Sequence, residues 1–198
     1  MFQVASGVSV PFPERLKEEF QIFETSILLN LSFEKIKIFI DEFITYLSQP
    51  LFFVLEIPMS QQEESEIRKD DTFPFHKKVC YLDGQSSEQI ATILKQYGDL
   101  LLNDGISQFA IYSHDTKDGV YIQKYKIMSI YSHTPQNYVK FLEKYGLTQT
   151  KKLLTAWDTF SHESPGHVER VQIDGMSIFD VYDELIKNGM YVAKAVEA

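Results

Sequence analysis

Residues 82–114, LDGQSSEQIATILKQYGDLLLNDGISQFAIYSH, constrain the fold more than any other stretch of the chain. Ser86 stands where a helix N-cap belongs, with Gln89 three residues on, the reciprocal spacing that satisfies two orphan backbone donors. Ile90, Ile93, Leu94 and Tyr97 then recur at helical spacing, so one stripe requires a core while Lys95 and Gln96 face water. Gly98 suits a left-handed stop, and Asp83-Gly84 and Asn103-Asp104-Gly105 read as turns. From Ile106 the pattern changes. Ile106, Gln108, Ala110 and Tyr112 fall on one face of a strand, and Ser107, Phe109, Ile111 and Ser113 on the other. A single-striped helix feeding directly into a strand predicts a helix laid across a sheet.

The remaining chain extends that unit. Leu51–Ile57, LFFVLEI, is apolar without alternation, which predicts a strand in the middle of a sheet with cover on both faces. Asp115–Gly119 predicts a hairpin turn, followed by one long strand from Val120 to Ile130. Ser32 opens a helix striped by Phe33, Ile36, Phe39, Ile40, Phe43, Ile44 and Leu47, and Pro50 bars its continuation. Thr134-Pro135 opens another through Tyr138, Phe141, Leu142 and Tyr145, closed by Gly146. A third runs from Ser177 to Asn188. Strands are expected at 19–30, 168–173 and 190–196, with an edge strand or unpaired arm over 1–13 and a loop or short irregular helix over 59–74. The expectation is a single α+β domain over residues 1–198, a mainly antiparallel sheet packed against three or four amphipathic helices.

A shift of 48 residues lays Ser86–His114 over Thr134–His162, matching Leu94, Tyr97-Gly98 and Ser113-His114 with their counterparts. Two related strand–helix–strand units would account for this. Such a duplication requires a strand at LLTAWDTFS, where Leu153, Leu154, Trp157 and Phe160 also suit a helix.

Charge and motifs narrow the function classes. With 28 acidic against 19 basic residues the formal charge is −9, and Lys77-Lys78 and Lys151-Lys152 are isolated pairs. Nucleic acid is therefore not expected as a partner, because phosphate binding requires clustered cations. No apolar run reaches the roughly 18 to 20 residues needed to cross a bilayer. The start of the chain lacks the basic-then-apolar order of a secretory signal, so the expected location is cytoplasmic, without membrane association. Cys80, the single cysteine, lies within an apolar run and reads as a buried thiol. No phosphate-cradling or dinucleotide loop is present, nor a nucleophile elbow, so no catalytic residue, metal or cofactor is assigned. His162 and His167 are five apart with Pro165-Gly166 between them, which breaks the zinc-protease spacing. His114, His133 and His162 with Asp158 remain an alternative: a small hydrolase-like site at the sheet edge. Glu56 is an acid embedded in the most apolar strand.

The aromatic content, 15 Phe, 11 Tyr and one Trp, is more informative. Tyrosines at strand edges and turns suit contact surfaces, since their rings are apolar and their hydroxyls polar. Tyr112, Tyr121, Tyr125 and Tyr131, with Asp104, are the predicted binding residues of an acidic, tyrosine-bearing face directed at a basic partner protein. In acidity, size and composition the chain is similar to small intracellular acidic proteins of bacteria, including antitoxin-like immunity proteins that neutralise a partner toxin. That likeness implies a non-enzymatic, protein-binding role of immunity or regulatory type and gives no residue a role. A homo-oligomer pairing through an exposed sheet is a further alternative.

Overall fold

The computed structural model describes residues 2–68 and 75–197. The chain opens with β1 (Val8–Ser9), the hairpin β2 (Glu19–Ile22) and β3 (Ser26–Leu29), and α1 (Phe33–Phe43). Next come β4 (Leu51–Pro58), α2 (Gln61–Ile67), β5 (His76–Gln85) and α3 (Ser87–Asn103). The meander β6 (Gln108–Ser113), β7 (Gly119–Ile122) and β8 (Met128–Tyr131) precedes α4 (Val139–Lys144) and β9 (Thr148–Gln149). β10 (His167–Val168), α5 (Ile178–Lys187) and β11 (Tyr191–Glu197) complete the order. Nine strands form one sheet in the order β11-β5-β4-β6-β7-β8-β3-β2-β9, and β1 pairs with β10 separately. All pairings are antiparallel except β2 with β9. The α+β expectation holds: a large, mainly antiparallel sheet against several helices.

Strand alternation sends one set of side chains to the helices. Leu51, Phe53, Leu55 and Ile57 of β4 join Cys80, Phe109, Ile111, Val120, Ile122, Met128 and Ile130 in one buried cluster. Ile36, Phe39 and Phe43 of α1, Ile90, Leu94 and Leu101 of α3, and Val181 and Leu185 of α5 complete it. Burying each such side chain contributes about 1.5–3 kcal/mol, so this layer dominates stability. Burial also pushes the Cys80 thiol up to about 11, which keeps it protonated and inert.

Several local expectations are corrected by packing. The Ser86–Gln89 capping box forms as read, with Ser86 Oγ accepting from the Gln89 amide at 3.2 Å and Gln89 Oε1 from that of Ser86 at 2.7 Å. The helix nevertheless runs through Gly98 to Asn103. Leu100, Leu101 and Leu102 are all buried beyond it, and their burial outweighs the roughly 1 kcal/mol cost of a helical glycine. Asp83-Gly84 is a bulge inside β5 rather than a turn: Leu51 faces Gln85 while Phe53 faces Leu82, and Gly84 takes φ +69°. The long strand over 120–130 divides into β7 and β8, which pair with each other around a turn in which Tyr125 and Lys126 both take φ near +58° (58° and 57°). The strand over 19–30 likewise divides into the hairpin of β2 and β3. Ser32 occupies its N-cap position without a side-chain bond to the helix amides. Between residues 168 and 173 only Val168 is in a strand, and Ile173 instead bridges to Met176 around Asp174-Gly175. The polar 59–74 segment includes α2, capped reciprocally by Ser60 and Glu63, while 69–74 lie outside the described residues. Ala156–Thr159 forms a 3-10 turn, so the strand that a duplication demands at LLTAWDTFS does not exist.

The second face of the sheet is covered over only part of its width. Leu28, opposite in sense to the core-facing Ile27 and Leu29, packs beneath Leu154, Phe160, Ala5 and Val8. Gln21 Oε1 accepts from the Leu153 amide at 2.9 Å, and Asn30 Nδ2 donates to the Leu154 carbonyl at 2.7 Å. The N-terminal arm and the segment after β9 thus lie over the β2–β3 end. Among the described residues no such layer covers β5, β4, β6 and β7, so the unalternating LFFVLEI run has cover from them on one face and a trough on the other.

Candidate functional site

Register assembles the open half-face. Across it, Tyr81 faces Val54, Val54 faces Ala110, and Ala110 faces Tyr121. A neighbouring row runs Phe52, Tyr112, Gly119, Tyr131. Small residues form the floor and rings form the walls, leaving a trough of about 570 Å³. Val54, Val79 and Ala110 are buried at its base, with Phe52, Tyr81, Tyr112 and Tyr121 against them.

The rings support one another. Tyr191–Tyr81 (6.3 Å between centroids), Tyr81–Phe52 (5.9 Å), Phe52–Tyr112 (5.4 Å) and Tyr112–Tyr131 (6.1 Å) make a ladder across the sheet. Each such pair is worth about 0.5–1.5 kcal/mol beyond burial, so the wall is fixed before anything binds. Gly119 makes the ladder possible. A Cβ there would stand 2.1 Å from the Tyr112 ring and 2.5 Å from the Ile111 carbonyl oxygen, so the ring occupies the space a side chain would need.

One end of the trough is polar. Lys77 Nζ reaches Glu56 at 2.5 Å, Gln108 Nε2 donates to Glu56 at 3.4 Å, and the Tyr121 hydroxyl donates to Gln108 Oε1 at 3.2 Å. Glu56 is therefore held in a network rather than lying free at a wet strand end. Lys117 and Lys194 also line the trough. Lys117 Nζ donates to the His114 carbonyl, while Lys194 is exposed and has no partner among the described residues. The Tyr81 and Tyr112 hydroxyls likewise have none among these residues. Burial, then the Tyr131 and Glu56 groups, push the Tyr112 phenol well above its usual range, and burial with Glu56 does the same to Tyr121. Both stay neutral donors rather than phenolate nucleophiles.

The sequence-derived residues separate on this geometry. Tyr112 and Tyr121 wall the trough, and Tyr131, 40% exposed, stands beside Tyr112 at its rim. Tyr125 lies elsewhere, edge-on to Trp157 (4.7 Å) and Phe160 (4.8 Å). Asp104 is corrected outright. It is fully buried, its carboxylate accepting from the Ile106, Ser107 and Val171 amides at 3.2, 2.8 and 3.2 Å. Among the described residues that line the trough, Glu56 is the single acid beside Lys77, Lys117 and Lys194, while Asp83 accepts from the Tyr191 hydroxyl at 2.6 Å at the end of the ladder. Phe52, Tyr81 and the three lysines were missed. Phe52 had a signal: it is apolar on the side of β4 that alternation should have made polar.

No protein-family model matches the chain, and neither the curated proteins nor the solved structures yield a match. The site therefore rests on its own geometry. For the hydrolase-like alternative, His114 lies 3.3 Å from Asp83, Asp158 accepts from Thr155 in a capping box, and His133 and His162 are exposed. No group of three His, Cys, Asp or Glu side chains among the described residues is arranged to hold a metal ion. No described helix is long and apolar enough to cross a membrane.

Proposed function

We propose that the chain is a non-enzymatic binding module, of immunity or regulatory type, that docks a segment of a partner protein in the open trough. The observation that carries this reading is the uneven cover of the second face. The chain spends its arm and its 150–170 segment on one end of the sheet and leaves an apolar floor walled by four rings at the other. Exposed aromatic surface of this kind, preorganised and ringed by polar groups, is what hot-spot contacts use. A trough of this volume takes one or two large side chains of a partner.

Pairing between copies along a strand edge has weaker support. β11 is an open edge, but a bulge between Val192 and Lys194, with Lys194 and Glu197 on the strand, blunts it.

Ala110→Trp fills the trough from its floor without touching the helix-covered core. A partner recovered on the wild-type chain, purified and titrated back, should bind this variant at least about tenfold more weakly, since it loses a central contact. The thermal midpoint of the variant should match the wild type. Equal affinity for the two proteins would reject the trough as the docking site.

A further inference from the structure

We infer that the segment taken by the trough is acidic, one that presents carboxylates around an apolar or aromatic side chain; this rests on the binding-module reading and specifies its partner. The argument is an inventory of unmet hydrogen-bonding capacity. Glu56, the single acid among the described residues lining the trough, already has its Oε2 engaged by Lys77 and Gln108. What remains open is donor-rich: the ammonium of Lys194 and the remaining protons of Lys117 can only donate, while the hydroxyls of Tyr81 and Tyr112 can donate or accept. Open donors of this kind favour a ligand rich in acceptors, and charge-assisted bonds from lysine to carboxylate are the strongest available to them. The floor between these donors is apolar, so the same segment must bring a side chain to cover Val54, Val79 and Ala110.

The formal charge of −9 does not oppose this. At physiological salt, exposed charges beyond about 8 Å are screened, so the lysines lining the trough set the local preference. The overall charge slows encounter with an acidic partner more than it weakens the docked state.

The test is selection from a random peptide library displayed on phage, using the full chain as bait and Ala110→Trp as counter-selection. Synthetic versions of the enriched peptides are then titrated by fluorescence polarisation against wild type and against K117E/K194E. That double variant alters two exposed side chains, and its thermal melt checks that it remains folded. We expect peptides with Asp or Glu flanking an aromatic or aliphatic residue, weakened about tenfold or more by the charge reversal and by raised salt. Trough-dependent peptides that are rich in Lys or Arg, or that bind the double variant as well as wild type, overturn the acidic preference while leaving the binding module standing. If no enriched peptide distinguishes wild type from Ala110→Trp, the module and the inference fall together.

Discussion

Lys126 is a cation placed where composition alone would never put one. It is buried, in the left-handed region at φ 57°, with Nζ donating to the carbonyls of Leu101 (3.1 Å) and Asp104 (2.6 Å). These oxygens close the C-terminal end of α3, where the helix dipole favours a positive charge. Burial pushes the ammonium down to about 8, against the pull of Asp104. An unfolded lysine titrates near 10.4, so between about 8 and 10.4 the unfolded chain holds the extra proton and this group makes stability rise with pH. Below about 8 the ammonium is charged in both states and contributes no slope. Lys126→Met should cost about 2 kcal/mol at neutral pH, because two buried carbonyls lose their donor. Urea titrations at several pH values check both claims. The wild-type advantage should widen from pH 8 to 9.5, and a constant gap would disprove the linkage.

At the scale of elements, the glycines of the sheet differ in why they are glycines. Gly84 takes φ +69° with open space around its missing side chain, so its role is conformational. Gly119 lies under the Tyr112 ring and against the β6 backbone. Gly119→Ala must therefore displace the ring or part β6 from β7, and overpacking of this kind costs about 1–3 kcal/mol. Loss of near-ultraviolet tyrosine dichroism together with a lower urea midpoint is the expected signature. An unchanged spectrum would mean that the ladder tolerates the methyl group. The helices were the readable elements. The stripes of α1, α3 and α5 and the cap at Ser86 stand in the sequence because they depend on neighbours three and four residues away.

At the scale of the molecule, three distant segments meet at the end of α3. Gly7 donates to the Asn103 carbonyl, Gly105 to that of Glu169, and Glu169 to that of Gly7, each at 2.9 Å. A Cβ on Gly105 would stand 1.9 Å from the Gly7 carbonyl oxygen. This junction holds β1 and β10 together and fastens the cover over the β2–β3 end of the second face. Gly105→Ala should release both segments while the helix-covered sheet persists. Hydrogen exchange should quicken over about residues 5–10 and 153–170 and stay slow in β4 and β6, because such units open independently. Uniform exchange across all of these segments would show that the cover is not separable.

The sequence by itself determined the α+β class, the striped helices and the Ser86 cap, the central β4, the buried thiol and two of the trough tyrosines. These follow from local propensity and from periods of 3.6 and 2, which are interactions between near neighbours. Tertiary structure alone decided that Asp104 is buried, that Gly98 does not end its helix, and that the tyrosine face carries lysines. It also decided which half of the second face stays open. Those outcomes depend on cross-strand register, such as Phe52 opposite Tyr112, and on where the arm and the 150–170 segment come to rest. Side chains far apart in the chain become neighbours only when the sheet forms, and no local period encodes which of them will meet.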